Sequence, residues 1–412
     1  MGLPWRAVTV SSPSASRRPV CMIVHAFFDE DSRVRREAAS LVECGRPVDV
    51  FALRRPHDAP QGMVDGVRVH RLDVQRHQGA GLRIYLGEYL AFLFRAAWAA
   101  TREHRRRRYA AVQVHTLPDF LVFAALPLKL VGVPVLLDLH EAMPEFFRMR
   151  FPRASNPLAH RLLLVAERLS IASADAVITV NEALAARLVA LGVPAAKVTV
   201  ILNSPSLRRF DPALYPRRAV LADGTLRLVY AGALTPTYEL DVVLDGLARL
   251  RATRPALPVR LELYGRGDAT EQLRAQATRL GLADQVVFHG RIPLEDVPAA
   301  IAAADIGLAP TRRDPFTDLS LSTKVLEYGA MGKPVVASRL PLVERTFPAG
   351  AVRTYEPGSP DGLASAILSL VDDAAAREAS VALMTGRIGE LSWEREADRL
   401  CAVIERLAPD GD

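Results

Sequence analysis

Short aliphatic and β-branched runs alternate with longer segments whose apolar positions recur every three to four residues, along nearly the whole chain. That alternation predicts βα units building parallel sheets, hence an α/β fold. In the first half, strands are expected at residues 20–25, 48–52, 67–72, 111–115, 133–137, 176–180 and 198–201. Helices are expected at 32–43, 82–102, 119–131, 157–173 and 182–191. The periodicity breaks over 203–223, where Pro205, Pro212 and Pro216 read as an interdomain linker. A second series follows, with strands at 226–231, 259–264, 286–289, 306–308 and 335–337 and helices at 239–251, 268–280, 294–303 and 323–331. The expected organisation is a Rossmann-like domain over 1–203, a linker over 204–222, a second Rossmann-like domain over 223–392 and a terminal helical segment over 393–412 returning to the first. Two such domains in tandem are expected to face each other across a cleft, with ligands at the carboxyl edges of the sheets.

Composition narrows the class. The 412 residues are 50% hydrophobic and 24% charged, a globular make-up with room for more than one core. The excess of 52 Lys+Arg over 46 Asp+Glu is +6, too modest to argue nucleic-acid binding. Cys21, Cys44 and Cys401 show no C-x-x-C or Cys/His spacing, so neither a disulfide nor a zinc site is expected, and a reducing cytoplasm fits. The first nineteen residues hold Arg6, Arg17 and Arg18 but no apolar run of signal-peptide length, and no run reaches bilayer length. One basic run, from His104 through Arg108, ends a helix carrying Leu86, Tyr89, Leu90, Phe92, Leu93, Phe94 and Trp98. It reads either as a solvated cationic helix end or as a surface that touches an anionic membrane, placing the protein at the inner face.

Candidate chemistry concentrates in residues 311–338. Ser322 is expected to cap a helix start, freeing the N–H groups of Thr323, Lys324 and Val325 for an anion, and Lys324 adds a full charge in a chain with four lysines. Glu327, one turn on, suits a diol such as a ribose; the alternative is a surface Lys–Glu pair. Gly265-Arg266-Gly267 and Gly232 each follow a strand, where a missing side chain lets a ligand approach the backbone or simply permits a tight turn. In the first half, His25, His115 and the segment Asp138-Leu139-His140-Glu141 fall at the carboxyl ends of strands, as ligand-facing or structural groups. Asp29-Glu30-Asp31 forms a D-x-D, read as acids favouring a helix N-terminus rather than as metal ligands.

Taken in order, these stretches resemble the family 4 glycosyltransferases, retaining enzymes of GT-B fold. Asp31-Ser32-Arg33-Val34-Arg35-Arg36-Glu37-Ala38 is similar to the family's D-x-R-V-x-x-E-A opening, and Asp138-Leu139-His140-Glu141 to its D-x-H-E. Residues 174–181 resemble its a-D-x-v-i-t-v-s stretch, residues 288–292 the nucleotide-base loop, and residues 324–336 the ribose motif. The resemblance implies a transferase using a nucleoside diphosphate sugar, without cofactor or metal, in polysaccharide or glycoconjugate synthesis. His140 and Lys324 would be catalytic; Gly232, Thr235, Gly265, Arg266, Gly267, Gly290, Arg291, Ser322, Thr323 and Glu327 would bind donor; His25, Asp31, Arg33, His115 and Glu141 would line the acceptor side. The acceptor would be a lipid-linked saccharide or a small aglycone. Two departures stand out: Leu319 replaces the first acid of the E-x(7)-E motif, so that contact is absent or supplied by Asp318, and Ala233 and Tyr238 stand where the family places Arg and Lys, so Lys324 would take over charge neutralisation. They keep open a non-catalytic partner subunit, and the shared architecture keeps open a nucleotide-sugar 2-epimerase.

Overall fold

The computed structural model describes residues 17–77, 81–151, 154–216 and 218–409; Arg6 and the rest of residues 1–16 lie outside it. The chain forms two compact units, residues 1–203 with 396–412, and residues 204–395.

The first unit is built on β1 (Val20–Ile23), β2 (Val48–Leu53), β3 (Gln61–Val64), β4 (Val67–Leu72), β5 (Ala111–His115), β6 (Val135–Leu139), β7 (Ala176–Thr179) and β8 (Val198–Val200). They lie in the order β3-β4-β2-β1-β5-β6-β7-β8. Every neighbouring pair is parallel except the β3–β4 hairpin. The central strands β1, β2, β5 and β6 are buried throughout, so they read as continuous apolar runs rather than alternating ones. The helices are α1 (Ser32–Glu43), α2 (Leu82–Arg107), α3 (Leu126–Lys129), α4 (Met143–Arg150), α5 (Pro157–Ser173) and α6 (Glu182–Ala190). α1 packs against β2 and β4, and α2 packs against α3.

Three expectations change here. The strand at 133–137 begins two residues later, because Pro134 has no N–H to give the ladder, and this draws Asp138 into β6. The helix at 119–131 becomes a 3-10 turn, Asp119–Ala125, followed by α3, whose start carries Pro127. The cysteine reading is also corrected: Cys44 at the end of α1 and Cys401 form a disulfide across 357 residues, a spacing that leaves no local signal. Among the described residues Cys21 is the free, buried thiol.

The second unit holds six parallel strands, β9 (Leu226–Ala231), β10 (Val259–Tyr264), β11 (Val286–Gly290), β12 (Ile306–Ala309), β13 (Val335–Ser338) and β14 (Arg353–Tyr355). Their order is β11-β10-β9-β12-β13-β14. Around them run α7 (Leu240–Thr253), α8 (Thr270–Arg279), α9 (Val297–Ala302), α10 (Thr323–Ala330), α11 (Pro341–Thr346), α12 (Pro360–Asp372) and α13 (Ala374–Glu390). The last helix, α14 (Trp393–Leu407), belongs from Glu396 onward to the first unit. There it buries Leu400, Val403 and Ile404, and Arg46 bonds both Glu405 and the Ala408 carbonyl at 2.8 Å.

Candidate active site

Register builds the first cluster. β5 and β6 pair so that His115 stands beside Asp138, at the carboxyl edge of the sheet. The buried Asp138 carboxylate takes Arg33 Nη2 at 3.0 Å and Nε at 3.3 Å, His115 Nδ1 at 3.0 Å and His140 Nε2 at 2.6 Å. Arg33 arrives from the first turn of α1, which Asp31 caps by accepting from the N–H groups of Arg33 and Val34. One turn further, Glu37 Oε1 lies 2.8 Å from Arg33 Nε, and Gln113 donates to the other Glu37 oxygen. Burial opposes the Asp138 charge, yet Arg33, His140 and His115 hold that carboxyl well below the usual range. Burial pushes its neighbour Glu37 up to about 8.

Accessibility separates scaffold from site. His115 is 0% exposed and Arg33 is buried, so both act on Asp138 rather than on a ligand, and Asp31 is a helix cap. His140 is partly open, with its backbone N–H on Thr116 Oγ1. With Nε2 held by Asp138, its Nδ1 is the nitrogen left for a ligand. His115 Nδ1, Asp138 and His140 Nε2 come within 4.8 Å of one another, a grouping of metal-ligand types. The Arg33 guanidinium already engages both Asp138 oxygens, so a cation placed there meets a full positive charge.

His25, just beyond β1, packs edge-on against Tyr89 and Phe92. Burial first and Arg76 second push its pKa down to about 3, so its 3.1 Å approach to Glu88 is that of a neutral imidazole. Glu141 is partly accessible, and burial raises its pKa against the opposing charge of His140. Asp119 was not anticipated. It is 2% exposed, neither oxygen has a hydrogen-bond partner among the described residues, and burial first, then Glu167, push its carboxyl well above the usual range. In the sequence it looks like any acid at a helix start.

In the second unit, Gly232, Gly265 and Gly290 stand at the carboxyl ends of the adjacent strands β9, β10 and β11. Their glycine character serves the chain itself. A Cβ on Gly265 or Gly267 would lie 1.8 Å from the Gly232 oxygen or 2.0 Å from the Leu234 oxygen. Gly232 and Leu234 donate N–H bonds to the carbonyls of Tyr264 and Arg266 there. Gly290 has φ +74° and accepts from the Gly265 N–H. Arg266 and Arg291 are exposed, and Thr235 closes a turn with Tyr238.

Helix α10 begins at Thr323, but the Ser322 hydroxyl makes no cap bond and is buried without a partner among the described residues. Among the described residues nothing accepts from the N–H groups of Thr323 or Lys324. Lys324 is 6% exposed, and no carboxylate or other acceptor among the described residues pairs with its ammonium. Instead Nζ sits 3.7 Å from the Tyr238 ring centroid and 5.1 Å from that of Tyr230. Such contacts give ~0.5–2 kcal/mol. Glu327 follows one turn on, partly exposed. Glu239, which sequence reasoning passed over as a helix start, is buried and accepts from Ser338 Oγ, Tyr355 O–H and the Gly358 N–H; it fastens β13 and β14 to α7.

Two Rossmann-like domains, each with polar groups gathered at its ligand edge, are the architecture of GT-B glycosyltransferases. Comparison with known proteins bears this out. The profile of the glycosyl transferase 4-like domain matches residues 31–204, and that of glycosyl transferases group 1 matches residues 225–373. The chain is 27% identical to a D-inositol 3-phosphate glycosyltransferase of Geodermatophilus obscurus over 90% of its own length and 83% of the relative's. It is 32% identical to a phosphatidyl-myo-inositol mannosyltransferase of Mycobacterium leprae over 43% of its length and 45% of that relative's. Among solved structures, a sucrose-phosphate synthase of Thermosynechococcus elongatus superposes with TM-score 0.76 at 20% identity, covering 95% of this chain and 99% of that one. HepE of Anabaena, solved with UDP and glucose, gives 0.70 at 17%, covering 95% and 100%. The chain belongs to the family 4 glycosyltransferases.

Proposed function

We propose that this glycosyltransferase moves a hexosyl group from a nucleoside diphosphate sugar to a hydroxyl acceptor, with retention at the anomeric carbon and without a metal ion. The observation that carries the reading is Lys324, a side chain 6% exposed with no carboxylate partner among the described residues, at an uncapped helix start. Helix N-termini attract anions, and a departing diphosphate is the anion this reaction develops. Ser322 and Thr323 complete that edge, Glu327 takes the ribose hydroxyls, and Gly290 and Arg291 border the base. Arg266 is the exposed second cation. The first domain takes the acceptor, with the Asp138–His140 couple presenting an oriented imidazole. In a front-face displacement a leaving-phosphate oxygen accepts the acceptor's proton, so no protein base is needed. Metal independence is supported by the Arg33 guanidinium, which holds the carboxylate a cation would require.

For the acceptor we favour a lipid-linked saccharide, with a small aglycone as the alternative; the relatives' names carry an inositol phosphate and a phosphatidylinositol. An anionic membrane surface fits the outward side of α2, where Leu86, Leu90, Phe94 and Trp98 are exposed beside Arg83, Arg102, Arg105 and Arg106. On α5, Leu158, Leu162, Val165 and Leu169 are exposed beside Arg161 and Arg168. Glu88 and Glu167 of these helices are buried.

The test is incubation with UDP-glucose or GDP-mannose, both α-linked donors, and an inositol phosphate, phosphatidylinositol or polyprenyl-linked sugar, in excess EDTA. Nucleoside diphosphate release with an α-linked product by NMR is expected. A β-linked product would overturn retention, and activity restored only by manganese would overturn metal independence.

A further inference from the structure

Lys324 is held in an unusual way for a buried cation. Its neighbours are two aromatic faces, Tyr238 and Tyr230, and a glycine, rather than a carboxylate. The glycine is what makes the position possible, since a Cβ on Gly232 would lie 2.2 Å from Lys324 Cε and 2.8 Å from Nζ. The Tyr230 hydroxyl, which could compete for the ammonium, donates instead to the Ala233 carbonyl at 2.6 Å. Lys324 is the second residue of a helix whose first N–H groups have no acceptor among the described residues. A ring over a cation fixes its place without neutralising it, whereas a carboxylate would compete with an incoming anion.

We infer that Tyr238 and Gly232 are positioning residues that hold the Lys324 ammonium in place for the donor diphosphate, and that this charge is delivered to the neighbourhood of position 238. The inference rests on the donor reading above. Because Nζ lies 3.7 Å from the Tyr238 ring, a lysine introduced at 238 would carry its own ammonium into the same neighbourhood from the opposite chain segment. The cation is thus exchangeable between α10 and the turn after β9. Ala233 and Tyr238, which as residues lack the positive charge expected there, are consistent with a charge that has moved rather than one that has been lost.

The experiment measures UDP and GDP binding to the full chain by calorimetry, each beside its own nucleoside; the ratio of diphosphate to nucleoside affinity isolates the diphosphate's share. A general loss of folding does not move that ratio. Lys324→Ala should lower it about 100-fold, the scale of a preorganised charge partner. Tyr238→Leu and Gly232→Ala should each lower it roughly tenfold, the scale of a desolvated cation–π contact. In the Lys324→Ala background, Gly232→Ala should lower it no further, and Tyr238→Lys should recover most of the loss. If Lys324→Ala lowers the ratio while Tyr238→Leu leaves it unchanged and Tyr238→Lys restores nothing, the positioning inference fails and the donor reading stands. If the parent binds neither diphosphate, or Lys324→Ala leaves the ratio unchanged, the donor reading itself fails. Should Gly232→Ala not fold, the Tyr238 arms decide.

Discussion

Gly265 and Gly232 meet backbone to backbone at the ends of β10 and β9, where a Cβ on Gly265 would stand 1.8 Å from the Gly232 carbonyl oxygen. Gly265 also has φ +140°, a conformation that L side chains rarely adopt. Gly265→Ala therefore combines backbone strain of ~1–3 kcal/mol with a contact that only parting of the two strand ends relieves. Gly290→Ala, at φ +74° with nothing nearer than 4.0 Å, meets the strain alone. Thermal melts should show a clearly larger drop for Gly265→Ala; equal melting of the two variants would refute the close approach.

The Cys44–Cys401 bond ties the end of α1 to the returning helix α14. Under denaturing, non-reducing conditions a thiol assay should count one cysteine, Cys21, and after reduction three. Reduction should lower stability by ~2–4 kcal/mol, the usual range for a native disulfide. Three thiols without reductant would show that the pair is open in solution.

Asp138 and His140 separate fold from chemistry. Asp138→Ala leaves Arg33 and His115 buried without their shared carboxylate, and breaking such a buried pair costs ~3–5 kcal/mol. His140→Ala removes a partly open side chain at the edge of the cluster and should melt close to the parent. Turnover should nevertheless fall at least tenfold, with kcat more affected than KM. A His140→Ala enzyme with the parent's kcat would remove the histidine from the reaction.

Glu37 makes stability depend on pH with a definite sign. Its folded pKa stands at about 8 against an ordinary 4.5, so between those values the folded state holds a proton that the unfolded state releases. The Glu37 contribution to stability is then full below about 4.5 and is lost as pH rises through about 8. Denaturant midpoints should fall across this range in the parent, and the decline should flatten in Glu37→Gln. Parallel profiles for the two would remove Glu37 as the cause.

How much of this was legible in the sequence depended on whether the signal was local. The helices at 32–43 and 157–173 and the strands at 67–72 and 111–115 coincide with α1, α5, β4 and β5, because each carries its own periodicity. β3 escaped notice as a short edge strand whose residues are all at least partly exposed, leaving no apolar run. Lys324 could be found, since a serine before a lysine at a helix start is a local pattern and lysine is rare here. Its ring contact with Tyr238, its need for Gly232 and the Cys44–Cys401 bond could not, since each joins residues whose distance along the chain obeys no period. The glycines left two readings open, ligand approach or a tight turn of the chain. The backbone that approaches Gly265 and Gly267 belongs to the chain, a fact that adjacent strands alone can supply.

The basic run at the end of α2 divides between an inward and an outward side. Arg107 turns inward to the buried Asp49, with Nε at 3.0 Å and Nη2 at 3.2 Å, while Tyr109 donates to the same carboxylate. Arg108 takes the left-handed conformation that ends the helix. Only Arg105 and Arg106 continue the outward face, beyond Trp98 and Phe94, which are 64% and 68% exposed. A basic residue near an anionic surface contributes ~1 kcal/mol, so Arg105→Ser with Arg106→Ser should weaken binding to phosphatidylglycerol vesicles about 30-fold. The effect should shrink as salt screens the charges. Phe94→Ser with Trp98→Ser should weaken binding at every salt concentration, because apolar burial is not screened. Arg107→Ser should act differently, lowering the melting temperature by removing the guanidinium that meets the buried Asp49 carboxylate while leaving the outward face intact. Sedimentation with vesicles that is indifferent to the Arg105 and Arg106 changes, or equal on neutral phosphatidylcholine, would return this face to solvent.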